Sequence, residues 1–144
     1  MSIYGYKGFN KDLRCRGFQY EIGKTYEMEE EPILCERGFH FCEKLTDIAS
    51  YYPFIKYDVN FGSDYGLKII GFNKSSNRYC VVEAIGDVCE EELQLDTKHA
   101  TNRIRIVREL DEKEILDILN KEDPSSSLLS SWLYTTIYSL IYGG

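Results

Sequence analysis

The chain predicts an α+β fold: an antiparallel or mixed sheet of short strands, a short helix near residues 45–52, and two C-terminal helices. Three observations carry this prediction. Alternating and β-branched or aromatic runs are concentrated before residue 110. Helical periodicity becomes sustained only after Asp111. Aromatics make up 14% of the sequence and include twelve tyrosines, which suit half-buried sheet surfaces. At 144 residues the chain reads as a β-rich domain over 1–110, with a helical appendage over 111–144 packed on it.

The elements follow in order. Ile3–Phe9 is rich in aromatic and β-branched residues and reads as a first strand, followed by a turn at Asn10-Lys11-Asp12. Phe18–Ile22 alternates apolar and polar, and Gly23-Lys24 turns the chain. Tyr26–Glu31 is acidic and expected at the surface. Pro32–Cys35 and Gly38–Cys42 are short apolar pieces about a turn at Glu36-Arg37. Leu45–Tyr52 fits a short helix that Thr46 would cap and Pro53 would stop. Phe54–Asn77 reads as irregular loops around one strand at Leu67–Ile70. Arg78–Val88 and Ile104–Leu110 are the clearest strands. Asp111 and Glu114 match a capping box, with Ile115, Leu116, Ile118 and Leu119 forming the apolar side of the helix. Pro124 opens a final helix whose face holds Leu129, Leu133, Ile137 and Leu140, widened by Trp132 and Tyr138.

Charge narrows the function classes. The balance is 24 acidic against 17 basic residues, a net charge of −7. Binding to phosphate backbones needs clustered cations, so direct nucleic-acid binding is disfavoured. An acidic surface instead suits a basic groove on another protein, although the same charge also serves solubility. The first residues lack an apolar signal region, and Leu128–Tyr142 is too short and too polar to span a membrane. A cytoplasmic protein with reduced thiols is expected, since five cysteines are an odd number for a disulfide framework.

The most informative stretch is Cys35-Glu36-Arg37-Gly38-Phe39-His40-Phe41-Cys42. Together with Cys15 it offers three sulfurs and one nitrogen, the donor set of a closed tetrahedral zinc site. His40 and Cys42 are two apart, so on a strand they share a face. Cys15, Cys35, His40 and Cys42 are therefore the candidate ligands of a structural Zn2+ that staples the domain. The alternatives are ordinary burial of small apolar cysteines and a Cys-His nucleophilic pair. Cys80, Cys89 and His99 form a second candidate set, with Cys80 better explained by a core strand. No P-loop, G-x-S-x-G, H-E-x-x-H or dinucleotide fingerprint is present.

Two resemblances add to this reading. Tyr6–Phe9, Cys15–Tyr26, Cys35–Glu43, Tyr51-Tyr52-Pro53, Val82–Gly86 and Lys98–Leu110 together resemble an uncharacterised domain of phage and mobile-element proteins. That resemblance covers about residues 3–110 and implies a mobile-element origin. It also makes the chain a candidate for the anti-CRISPR proteins, among which one Cas9-blocking type is a metalloprotein. Separately, Gly38–Cys42 with Thr46, Ala49 and Tyr51, followed by Cys80–Asp87, looks like the core of poly(ADP-ribose) polymerase-type transferases. That resemblance implies NAD as ligand, Tyr51 stacking on its nicotinamide, and Thr46 in place of a serine. The NAD-gripping histidine expected on the first strand is absent, and Glu109 is the only acid near the end of a late strand.

The sequence thus leads to a non-enzymatic anti-defence protein that binds a basic surface of a Cas9-type nuclease and blocks nucleic-acid loading. Glu29–Glu31 and Glu90–Glu92 would supply the charge, and Trp132 and the late tyrosines the apolar anchors. The apolar face of 129–141 fits core packing or a homodimer seam better than a partner site. The alternative is an ADP-ribosyltransferase-like enzyme using NAD.

Overall fold

Alternation along the strands produces a two-faced sheet, and the helices and one hairpin cover those faces. The computed structural model describes residues 2–32, 38–49, 51–63, 66–89 and 97–122. In chain order these form β1 (Ile3–Phe9), β2 (Arg14–Cys15), β3 (Phe18–Gln19), β4 (Thr25–Glu27), β5 (Phe39–Cys42) and α1 (Leu45–Ile48). Then come β6 (Ile55–Ser63), β7 (Gly66–Lys74), β8 (Arg78–Ala84), β9 (Val88–Cys89), β10 (Lys98–Thr101), β11 (Arg103–Glu109) and α2 (Glu112–Glu122). Seven strands form one sheet in the order β4-β11-β8-β1-β5-β10-β9, with antiparallel pairings throughout. Strands β2–β3 and β6–β7 are separate hairpins. The α+β class follows. Among the described residues no helix is long and apolar enough to cross a membrane.

The two faces obey the period of two. On β8, Cys80, Val82 and Ala84 join one apolar cluster, with Phe9, Phe39, Phe41, Ile104 and Ile106 from neighbouring strands and Leu13 and Tyr20 from around the β2–β3 hairpin. Tyr79 and Val81 belong to the other, with Leu110, Leu45 and Ile48 of α1, and Leu119 of α2. The capping box forms reciprocally: Glu114 N–H donates to Asp111 Oδ1 at 2.8 Å and Asp111 N–H to Glu114 Oε1 at 3.3 Å. From that start α2 buries Leu116 and Leu119, three apart on one stripe.

Helix α1 is shorter than the expected 45–52, and Thr46 does not cap it. Lys44 occupies the N-cap without a side-chain bond. The Glu122 carboxylate at the end of α2 accepts instead from Leu45 N–H at 2.7 Å and Thr46 N–H at 2.9 Å. A carboxylate at a helix start satisfies orphaned donors, so contact between the helices replaces a local cap. Removing it with Glu122→Ala is expected to cost about 1–2 kcal/mol, as loss of an N-cap does. A lower urea midpoint at unchanged m-value would show it.

Other expectations are corrected by pairing. Phe54–Asn77 is not a set of loops around one strand, because Ile55–Ser63 and Gly66–Lys74 form a hairpin. Its register shifts lie between Asp58 and Val59 and between Asn60 and Ser63, at or beside Gly71 and Gly62. Of Tyr26–Glu31, expected at the surface, Glu27 and Glu29–Glu31 are exposed, whereas Tyr26 is half-buried because Thr25–Glu27 pairs with β11 at the sheet edge. Of Phe18–Ile22 only Phe18–Gln19 is strand. Strand β10, unforeseen, extends the sheet beyond β5. The turn at Glu36-Arg37 and the final helix from Pro124 lie outside the described residues.

Candidate ligand-binding cleft

The sheet has an interruption at its centre. Phe39–Cys42 of β5 pairs along its whole length with Lys98–Thr101 of β10, but meets β1 only through Tyr6 and Cys42. Beyond that single pair the ladder stops, and residues 7–9 and 39–41 flank an opening. The opening is a cleft of about 600 Å³. Strand β1 contributes Lys7 and Gly8, and the β2–β3 hairpin contributes Cys15 and Arg16. His40, Phe41 and Cys42 come from β5, Ile48 from α1, Tyr51 and Tyr52 from the turn after it, and Lys98 from β10. A second cavity of about 440 Å³ shares Lys7, Cys15, Arg16 and His40 with the first. It continues between Phe18, Tyr20, Tyr26 and Phe39, whose rings pack edge-on or tilted with centroids 4.7–6.4 Å apart.

Lys7 sits where the two cavities meet. It is 3% exposed, and its Nζ donates to the His40 carbonyl oxygen at 2.5 Å. The ammonium also lies 5.3 Å over the Tyr20 ring. Burial pushes the amine below its ordinary pKa, while Cys15 and Cys42 pull it back upward. Tyr52 reaches across the gap, its hydroxyl donating to Cys15 Sγ at 3.3 Å. Burial and that thiol raise the Tyr52 phenol. Burial, then the cations Lys7, Lys98 and Arg16, lower the His40 imidazole to about 4, so it is neutral at physiological pH.

Two backbone features build the walls. Gly8 leaves room for Tyr52, since a β-carbon there would fall 2.7 Å from the ring Cδ2. Arg16 and Gly17, with φ of 52° and 83°, form the two-residue turn between β2 and β3. Left-handed backbone at a non-glycine residue is strained by roughly 1–2 kcal/mol, and here it delivers the Arg16 side chain to both cavities. Lys98 lies 4.6 Å over the ring of Tyr51, which is 47% exposed at the rim. The lining of the larger cleft carries three cations, and no aspartate or glutamate among the described residues.

The predicted zinc ligands are partly brought together. Cys15, His40 and Cys42 all line the cleft, whereas Cys35 lies outside the described residues. Among the described residues no group of three His, Cys, Asp or Glu side chains is placed to hold an ion. The positive charge facing Cys15 and Cys42 is the Lys7 ammonium. The second set, whose three members are all described, does not assemble. Cys80 is fully buried, its thiol pushed up to about 12 by burial, and His99 Nε2 lies 2.9 Å from the Glu43 carboxylate.

The remaining candidates separate as well. Glu109 is held by Arg78 at 2.7 and 2.9 Å, which keeps its carboxyl below the usual range, and it lines neither cavity. Thr46 lies off the cleft, whereas Tyr51 lines it. Glu29, Glu30 and Glu31 are exposed, and Glu90–Glu92 and Trp132 lie outside the described residues. Sequence reasoning passed over Lys7, Arg16, Lys98 and Tyr52. One signal was present: alternation on β1 puts Lys7 on the same face as Ile3 and Phe9, a charge among core positions.

No curated protein and no solved structure matches this chain. A family model described as a domain of unknown function, DUF7666, matches residues 3–118, and the chain belongs to that family.

Proposed function

We propose that this chain is a binding protein for an anionic, ring-bearing small molecule of the nucleotide class, held in the cleft between β1 and β5 without turnover. The carrying observation is the lining: Lys7, Arg16 and Lys98 beside Tyr51 and Tyr52, with no carboxylate among the described residues there. Cations attract phosphate, tyrosine faces stack on flat rings, and a preformed cleft limits the ordering required on binding. The second cavity, walled by Phe18, Tyr20, Tyr26 and Phe39, gives a ligand with two rings somewhere to place the second. The transferase resemblance supports NAD or ADP-ribose as the first ligands to try, because Tyr51 lies on the wall of the cleft. Group transfer itself is less well supported, since Glu109 is engaged by Arg78 away from the cleft. A nuclease-blocking role would use another surface, for which exposed Glu29–Glu31 are the described residues that speak.

Calorimetric titration with ADP-ribose, NAD, AMP and uncharged adenosine tests this reading. The phosphorylated ligands should bind, more weakly as salt rises, and adenosine should bind far more weakly. Arg16→Ala and Lys98→Ala should each weaken binding about tenfold, the loss of one charge-assisted contact. NAD should be recovered intact. Folded protein that binds none of the phosphorylated ligands would refute the proposal.

A further inference from the structure

Lys7 is an unusual residue for a purely structural part. Among the residues whose burial is described it is the only buried lysine or arginine, yet it lines both cavities. Its closest contacts are the His40 carbonyl oxygen, the Tyr20 ring and the Cys15 side chain, with no carboxylate among them. A buried cation is ordinarily neutralised by an acid, and without one burial disfavours the charged form.

From this placement we infer that Lys7 is a carbonyl-reactive amine, whose Nζ condenses with the aldehyde or ketone of an anionic ligand seated in the cleft. The inference uses the cleft proposed above as the binding place, but does not require a nucleotide to be the ligand. The step is balanced. The ammonium first gives its proton to water in the open cleft. The nitrogen lone pair attacks the carbonyl carbon as the C=O π pair moves to oxygen, and one of the two amine protons passes to that oxygen to give a carbinolamine. The C–O bond then breaks, the oxygen leaves as water with the second amine proton, and the nitrogen lone pair closes the C=N bond of an imine between Nζ and the ligand carbon.

The surroundings fit the chemistry. The titratable groups lining the two cavities with Lys7 are the Cys15 and Cys42 thiols, the Tyr20, Tyr26, Tyr51 and Tyr52 phenols, neutral His40, the cations Arg16 and Lys98, and, in the second cavity, the exposed Glu27 carboxylate, which faces Arg103 at 3.6 Å. Burial favours the neutral amine; the two cysteines oppose it and Arg16 reinforces it. Arg16 and Lys98 offer charge for a phosphate on the same ligand, which places the fitting class among phosphorylated aldehydes and open-chain sugar phosphates.

Pyridoxal 5′-phosphate, an anionic ring aldehyde, is the probe. One equivalent is added to the full chain, the imine is reduced with borohydride, and the modified lysines are mapped by peptide mass spectrometry. Lys7 should carry at least tenfold more label than exposed Lys11, Lys24, Lys113 or Lys121. Lys7→Arg keeps the charge and should leave only that exposed background. Should that variant fail to fold, Arg16→Ala on the hairpin turn should lower labelling of Lys7 several-fold. Label concentrated on the exposed lysines or on Lys98 overturns the inference. One tightly held zinc per chain with Lys7 unlabelled also overturns it. ADP-ribose binding without Lys7 labelling sinks this inference and leaves the cleft proposal standing. Lys7 labelling without nucleotide binding does the reverse.

Discussion

Phe41→Ala is expected to lower the stability of the protein by roughly 3–5 kcal/mol, the usual range for deleting a buried phenylalanine ring. For a chain of this length that corresponds to a fall in melting temperature on the order of 10–20 °C. The ring is 1% exposed and belongs to the apolar cluster with Phe9, Phe39 and Ile106. It also packs 5.4 Å from the His99 ring. Gly5 lies directly against it, where a β-carbon would be 2.7 Å from Phe41 Cδ2. A glycine brings no side chain to close the void, so collapse around the deletion is limited on that side. Strand β5 has little reserve, because one of its neighbours bonds to it through a single pair. Thermal and urea unfolding measure the loss. A loss under about 1 kcal/mol, well below the usual range, would mean the ring is not packed as described.

The parts of this fold legible in the sequence were those where local pattern and tertiary contact agree. Ile3–Phe9, Arg78–Ala84 and Arg103–Glu109 are central strands of the sheet, and their runs name them. The capping box at Asp111 is likewise self-contained, since both partners lie within four residues. The β6–β7 hairpin was obscured by its glycines, although Ile55, Tyr57, Val59 and Phe61 alternate with Lys56, Asp58 and Asn60. Three glycines suggested loops, while a hairpin can place them at irregularities in its register. Strand β10, Lys98–Thr101, has no strong pattern of its own, and its pairings with β5 and β9 define it. The Glu122 contact with α1 joins residues 76 and 77 apart, beyond the reach of any local rule.

The cleft was legible only in fragments. Cys15, His40, Cys42 and Tyr51 were singled out for metal binding or stacking, and all four line it. The cations were not foreseen as a group, because Lys7 lies on β1, Arg16 in the β2–β3 turn and Lys98 on β10, more than eighty residues further on. They meet because the β1–β5 ladder stops after one pair, and no composition or spacing announces a missing rung. The overall charge of −7 pointed the other way, toward basic partners. A net charge describes the whole surface and says little about one concave patch.

Gly8→Ala should separate the packing of the cleft from its charge. The glycine has no positive φ, so the substitution adds no backbone strain. The new β-carbon would nevertheless lie 2.7 Å from Tyr52 Cδ2 and 2.9 Å from its Cβ and Cγ. Cβ and Cγ are the root of the side chain, so a change of rotamer does not clear them and the turn after α1 must shift. Overpacking of this kind costs about 1–3 kcal/mol. Moving Tyr52 also takes its hydroxyl from Cys15 and disturbs the wall opposite Lys7, so ADP-ribose binding should weaken alongside stability. A double-mutant cycle isolates the cause. In a Tyr52→Ala background the penalty of Gly8→Ala on stability should shrink, because the ring atoms Cγ and Cδ2 are gone and only the contact with Cβ at 2.9 Å remains. A penalty undiminished in that background would mean that Gly8 is required for some reason other than the close approach of Tyr52.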